Sequence, residues 1–180
     1  MPLIFVVSGP GGVGKGTLVD RLVDKVPHLW LSRSWTTRPR RDGEAEGAYV
    51  FVDAETFRAR VEAGGFLEWA RFLGHLYGTP IPDAPAGDDV LLEIDVQGAR
   101  QVLAACPGAV AILVVAPTAE DQAVRLRARG DDEAHVESRL ALGRDEEREA
   151  RALASHVVVN DELERAVSEL AGIVEAYRSP

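Results

Sequence analysis

The run Gly9-Pro10-Gly11-Gly12-Val13-Gly14-Lys15 is the part of the chain whose residue types and spacing speak most directly of chemistry. Glycines at these places let a backbone wrap tightly and turn its N–H groups toward an anion, and a lysine at the end adds a mobile positive charge. The spacing G-x-x-x-x-G-K is that of a phosphate-cradling loop, provided that a strand precedes it and a helix follows. A hydroxyl residue usually follows the lysine, where it reaches a magnesium ion. Here Gly16 occupies that place and Thr17 comes one residue later, which leaves open which hydroxyl meets the metal.

The elements that must position this loop are legible on either side of it. Leu3 to Val7 is a continuous apolar run ending in glycine, as a buried parallel strand would be, and Leu18, Leu22 and Val26 form a helical stripe just after the loop. Strand-like runs recur at Val90 to Ile94, Ala109 to Val115 and His156 to Val159, separated by stretches suited to helices. The spacing of Leu163, Ala166, Val167, Leu170, Ile173, Val174 and Tyr177 predicts a closing helix over Glu162 to Tyr177. This alternation implies a parallel α/β sheet. Two stretches interrupt it. Residues 34–80 hold strand-like pieces at Tyr49 to Val52 and Phe66 to Phe72 around a helix from Ala54 to Glu62, an inserted subdomain. Residues Arg125 to Arg139 are rich in arginine and acid and read as an exposed, mobile lid.

A chain of 180 residues suits one core, and no repeat or low-complexity tract divides it. One domain is expected over 1–180, with the core at 1–33, 81–124 and 140–180, the insertion at 34–80 and the lid at about 125–139. The net charge of −9 argues against nucleic acid as a partner. The lone Cys106 has no thiol to pair with and reads as a small core residue in a reducing compartment. The first apolar run is too short to span a bilayer and has no charged leader, so no membrane association and a cytoplasmic location are expected.

With the loop in place, Ser32-Arg33-Ser34-Trp35-Thr36-Thr37-Arg38-Pro39-Arg40-Arg41-Asp42-Gly43-Glu44 resembles the acceptor-binding signature of guanylate kinases. Phe66-Leu67-Glu68-Trp69-Ala70, Leu76-Tyr77-Gly78-Thr79 and Leu92-Glu93-Ile94-Asp95-Val96-Gln97-Gly98-Ala99 look like further blocks of that family in its order. Arg125-Leu126-Arg127-Ala128-Arg129-Gly130, Arg139-Leu140 and Val159-Asn160-Asp161 extend the likeness over essentially the whole chain.

The resemblance implies a P-loop NTPase-type parallel sheet flanked by helices, with a β-rich GMP-binding insertion and a small arginine-rich lid. The implied reaction moves the γ-phosphoryl group of ATP to GMP, and with it dGMP, with Mg2+ as cofactor and with ATP and GMP as the small-molecule partners. Oligomeric state is left open. Carried over by position, Ser34, Arg38, Arg41, Tyr49 and Tyr77 hold the GMP phosphate, while Glu68 and Thr79 read the base. A carboxylate suits guanine because it accepts both N1–H and N2–H, whereas adenine has no donor at N1. Glu93 and Asp95 end a hydrophobic strand and serve the metal, GMP or both; Thr17 and Asp95 are the metal candidates. ATP falls to residues Gly9 through Thr17, with Lys15 catalytic, and to Asn160 on the adenine side. Arg125, Arg129 and Arg139, with Arg38, neutralise the transferring phosphates. Arg40 and Arg127 face water, and Phe51, Phe66 and Trp69 pack. Pro82 and Pro85 argue against a regular helix over Ile81 to Asp89, where the family has a longer one. A sugar-phosphate kinase on the same scaffold and a non-catalytic binding module are the competing readings.

Overall fold

The structure, a computed structural model, describes residues 2–179; positions 1 and 180, the ends of the expected domain, lie outside the described residues. Its centre is a five-stranded sheet of β1 (Ile4–Ser8), β2 (Leu29–Ser32), β7 (Asp89–Glu93), β8 (Val110–Val115) and β9 (His156–Val159), in the order β2-β7-β1-β8-β9. Every pairing in it is parallel. Side chains of β1 alternate between two apolar layers, as the pleat requires. Phe5 and Val7 pack with Leu18 and Leu22 of α1 (Lys15–Lys25) and Val167 and Leu170 of α6 (Leu163–Arg178). Val6 turns the other way, toward Ala99 and Val102 of α3 (Val96–Ala105). A strand covered on both faces needs apolar residues throughout, which is why β1 reads as an unbroken hydrophobic run rather than an alternating one.

Residues between β2 and β7 build a second sheet from β3 (Trp35–Thr36), β4 (Val50–Phe51), β5 (Phe66–Phe72) and β6 (His75–Pro80), in the order β4-β3-β6-β5. Its helix α2 (Ala54–Glu62) starts where Asp53 accepts a bond from the Thr56 N–H at 2.7 Å, a side-chain cap that satisfies one of the free donors of the first turn. Phe57 of α2 is fully buried and stacks on Phe66 with ring centroids 4.6 Å apart, which anchors the helix to β5. Phe57→Ala is expected to destabilise the protein by about 3 kcal/mol, as loss of a buried ring does, seen as a lower urea midpoint with an unchanged slope.

Helices α4 (Ala119–Ala128) and α5 (Glu133–Leu153) join β8 to β9. Most of 125–139 is exposed, as expected of the lid, while Leu126 and Val136 are fully buried and form a small apolar cluster with Ala123 and Leu140. Helix α5 also runs unbroken through residue 139, where the lid was expected to end. Strand β2, Leu29-Trp30-Leu31-Ser32, went unpredicted; it pairs in parallel with β7. Cys106 is a half-buried residue capping α3, not a core residue, and Trp69 packs edge-on against Phe57 while staying 44% exposed on the edge strand β5. Residues 81–88 form no helix, as Pro82 and Pro85 predict.

Candidate active site

Both sheets open onto one cavity of about 960 Å³, at the upper end of the range for ligand sites. It sits over the C-terminal ends of the parallel strands, where an open α/β sheet binds its ligands. Val7 is in register with Glu93, so the glycine loop leaving β1 and the carboxylates following β7 emerge side by side.

The loop forms one wall. A Cβ on Gly9, at φ 147°, would lie 2.2 Å from the Val114 carbonyl oxygen, and one on Gly11 would lie 2.6 Å from the Arg139 guanidinium. The Val114 carbonyl is fixed backbone, so Gly9 meets a steric requirement as well as a conformational one, whereas at Gly11 the flexible Arg139 side chain would have to give way. Lys15 Nζ donates to the carbonyls of Gly9 at 2.6 Å and Pro10 at 3.1 Å. Burial pulls its pKa down, while Glu93, Glu146 and Asp95 act against that fall. Thr17 is exposed at the cavity wall.

The second sheet supplies the opposite wall, with Ser34, Arg38, Arg41, Tyr49, Glu68 and Tyr77. Arg38 is held from several sides. Its Nη2 and Nη1 donate to the two Glu44 carboxylate oxygens at 2.6 and 3.0 Å, and its guanidinium lies 5.4 Å from the Tyr49 ring centre and 5.6 Å from that of Phe51. Burial, then Glu93 and Tyr77, push the Tyr49 pKa upward and keep its hydroxyl protonated as a donor. Glu68 is buried, and Thr79 Oγ1 donates to its Oε1 at 2.5 Å. Gly98 makes room for that carboxylate, since a Cβ there would come within 3.0 Å of Glu68 Oε2. Burial raises the Glu68 pKa; the Thr79 hydrogen bond opposes the rise and Asp95 adds to it.

The third wall is α4 and α5 with the turn after β9, bringing Arg125, Arg129, Arg139, Glu146 and Asn160 to the cavity. Arg139 Nε is buried and has no hydrogen-bond partner among the described residues. Although Arg129 is exposed as a residue, desolvation of its guanidinium and then the charges of Arg41 and Arg139 lower its pKa. Three cations drawn together with a buried donor unspent make a site that an anion completes.

The sequence-predicted residues therefore converge on one cavity, with exceptions. Pro10, Val13 and Thr79 do not line it; Thr79 is fully buried behind Glu68 and reaches the cavity only through that carboxylate. Arg125 faces the loop more than the open space, donating to the Val13 carbonyl at 3.0 Å and to that of Asn160 at 2.7 Å. Asp95 commits Oδ1 to the Gly98 N–H at 2.7 Å as the cap of α3. Glu44, Gln122 and Glu146 were not singled out from sequence. Glu146 follows Arg139 by two helical turns, a spacing that could have found it.

Among the described residues, no group of three or more His, Cys, Asp or Glu side chains is placed to hold a metal ion. That donor set fits Mg2+ all the same, because the ion keeps several waters and binds through one or two carboxylates and substrate phosphates. Thr17, Glu93 and the uncommitted oxygen of Asp95 are the groups within the cavity suited to that role.

Residues 2–177 match the sequence model of the family described as guanylate kinase. A guanylate kinase of Syntrophomonas wolfei is 44% identical, with 98% of this chain and 93% of that protein covered. One of Thermus thermophilus is 46% identical, with 97% and 81% covered. The crystal structure of guanylate kinase from Anaplasma phagocytophilum superimposes with a TM-score of 0.79 at 29% identity, covering 99% of this chain and 87% of that one. A shikimate kinase from Bacteroides thetaiotaomicron shares the fold, with a TM-score of 0.55 at 14% identity. The loop, the guanine-suited carboxylate and the arginine walls thus occur together in a chain that belongs to the guanylate kinase family.

Proposed function

We propose that the protein is an ATP:GMP phosphotransferase, converting ATP and GMP, and likewise dGMP, to ADP and GDP in cytoplasmic purine nucleotide recycling. The observation that carries this reading is the placement of a buried, Thr79-supported carboxylate, Glu68, in the same cavity as the phosphate loop. A phosphate-binding loop alone would fit many kinases; a fixed acceptor of two hydrogen bonds at the far wall fits guanine.

In this reading the GMP base meets Glu68, and its phosphate meets Ser34, Arg38, Arg41, Tyr49 and Tyr77. The ATP phosphates lie on the N–H groups of residues 11–17, Pro10 having none to give, with Lys15 moving from the loop carbonyls onto them. Arg129 and Arg139 close from the helical wall, excluding water and spreading the charge of the transferring group. Bound Mg2+, held by Thr17 with Glu93 or Asp95, would neutralise phosphate charge. The acceptor is itself a phosphate oxygen, so no side-chain nucleophile is required, and catalysis is positioning and electrostatics.

The test is ADP formation from Mg-ATP with GMP, AMP, CMP, UMP and a ribose bisphosphate in parallel, with Lys15→Ala as the blank. The expected result is turnover with GMP far above the others and none in the blank. Turnover on the sugar phosphate alone would replace the reading with a sugar-phosphate kinase, and ATP binding without turnover on any acceptor would replace it with a binding role.

A further inference from the structure

A loop that aims its N–H groups at an anion must turn its carbonyl groups away from it, and buried carbonyls need donors of their own. Most carbonyls of the phosphate loop have one. The Gly9 and Pro10 carbonyls accept from Lys15 Nζ, and the Gly14 carbonyl accepts from the Leu18 N–H at 3.2 Å within α1. The Gly11 carbonyl accepts from Gln122 Nε2 at 2.6 Å. The Val13 carbonyl accepts twice, from Arg125 Nη1 at 3.0 Å and from Asn160 Nδ2 at 2.8 Å, while Arg125 Nη2 holds the Asn160 carbonyl at 2.7 Å.

These donors fall into two kinds. Lys15 is the one that must leave its carbonyls to meet a phosphate. Gln122, Arg125 and Asn160 donate to the loop from α4 and the turn after β9, Arg125 and Asn160 from places that also line the cavity. Packing fixes them there: a Cβ on Gly12 would lie 2.8 Å from Leu126 and 3.3 Å from Gln122 Cγ, and a Cβ on Gly143 of α5 would lie 3.3 Å from Gln122 Nε2. We infer that Gln122 and Arg125, one helical turn apart on α4, are positioning residues that brace the phosphate loop through the Gly11 and Val13 carbonyls, holding it in its anion-binding shape before ATP arrives. Arg125 accordingly acts through the backbone and not as a phosphate ligand. The consequence for ATP rests on the reading of the cavity given above; the consequence for the empty loop does not.

Two variants separate the possibilities. Gln122→Leu keeps the volume and removes the donor, and Arg125→Lys keeps the charge but cannot span two carbonyls. Val124→Ala, on the exposed side of the same helix, is the control. In ligand-free protein, amide hydrogen exchange over residues 9–14 is expected to quicken about tenfold in both variants and not in the control, in line with loss of a buried hydrogen bond to a loop. KM for ATP is expected to rise about tenfold with KM for GMP changed less than about twofold. Unchanged exchange in the empty loop, in whichever variant folds, overturns the brace whatever the kinetics show. Were Arg125 a phosphate ligand instead, ATP affinity would fall while empty-loop exchange stayed at the control value. A wild-type chain that leaves GMP untouched would defeat the proposed activity and leave the exchange result standing.

Discussion

Arg38→Ala is expected to lower kcat with GMP by about two or more orders of magnitude, the scale on which phosphoryl transfer loses rate when a charge-stabilising arginine is removed. The side chain is only 9% exposed and its fork is clamped by both oxygens of Glu44 between the rings of Tyr49 and Phe51, so its orientation is fixed before any ligand binds. A preset donor stabilises charge without reorganising at the moment of reaction. Alanine also strands the Glu44 carboxylate, whose remaining partner is the Arg41 N–H at 3.0 Å. Part of the damage is therefore structural, since an acid left unpaired in a partly buried place is destabilising. Arg38→Lys separates the effects: it retains a cation for Glu44 but offers no planar pair of donors to a phosphate. The lysine variant is expected to keep most of the lost stability and little of the lost rate, measured by thermal unfolding and by kcat at saturating GMP. A wild-type kcat in either variant would remove Arg38 from the chemistry.

What the sequence made legible followed from patterns that are local and repeated. The apolar runs of β1, β7 and β8 are buried on both faces and so advertise themselves, and α2 was read to its bounds, where the structure caps it with Asp53. The lid's small apolar anchor was not legible because its positions, Ala123, Leu126, Val136 and Leu140, are few and split between two helices, so their shared cluster exists only once α4 folds back on α5. Thr79 illustrates a different limit. Sequence can place a hydroxyl near a carboxylate, but that Thr79 stands directly opposite Glu68 on one face of the sheet depends on the antiparallel register, and a one-residue slip would turn one of them to the other face. Gln122 was invisible for the same reason: its partner, the Gly11 carbonyl, lies 111 residues earlier in the chain.

Glu68→Gln is expected to reduce kcat/KM for GMP by about three orders of magnitude and, at neutral pH, to raise the thermal midpoint of the ligand-free protein. The amide replaces one acceptor with a donor, so of the guanine N1–H and N2–H one is left facing an N–H group, a mismatch of the kind that sites built around hydrogen bonds punish most. The stability gain comes from the same carboxylate. Burial raises its pKa in the folded chain, with Asp95 adding to the rise and Thr79 opposing it. A folded-state pKa above the unfolded value means that the folded chain binds the proton more tightly, so stability is greatest below the unfolded pKa and is lost as pH rises through the folded one. Ionised Glu68 is thus a cost at neutral pH, and glutamine, which can still accept from Thr79 Oγ1, removes it. The gain should fade as pH falls into the carboxylate range, where wild-type Glu68 takes up its proton. Activity follows the opposite course, because only the ionised acid accepts both guanine donors: in the wild type, KM for GMP is expected to rise as pH falls through the raised pKa. Thermal unfolding and kcat/KM on GMP and AMP, measured across pH, check both halves. A variant that loses GMP turnover without gaining stability at neutral pH would show that the ionised carboxylate is not a cost to the empty fold. If it gains stability and keeps GMP turnover, another group reads the base. The expected pairing, more stable and nearly inactive, follows from keeping a charge in a dry place for a ligand that neutralises its need for water.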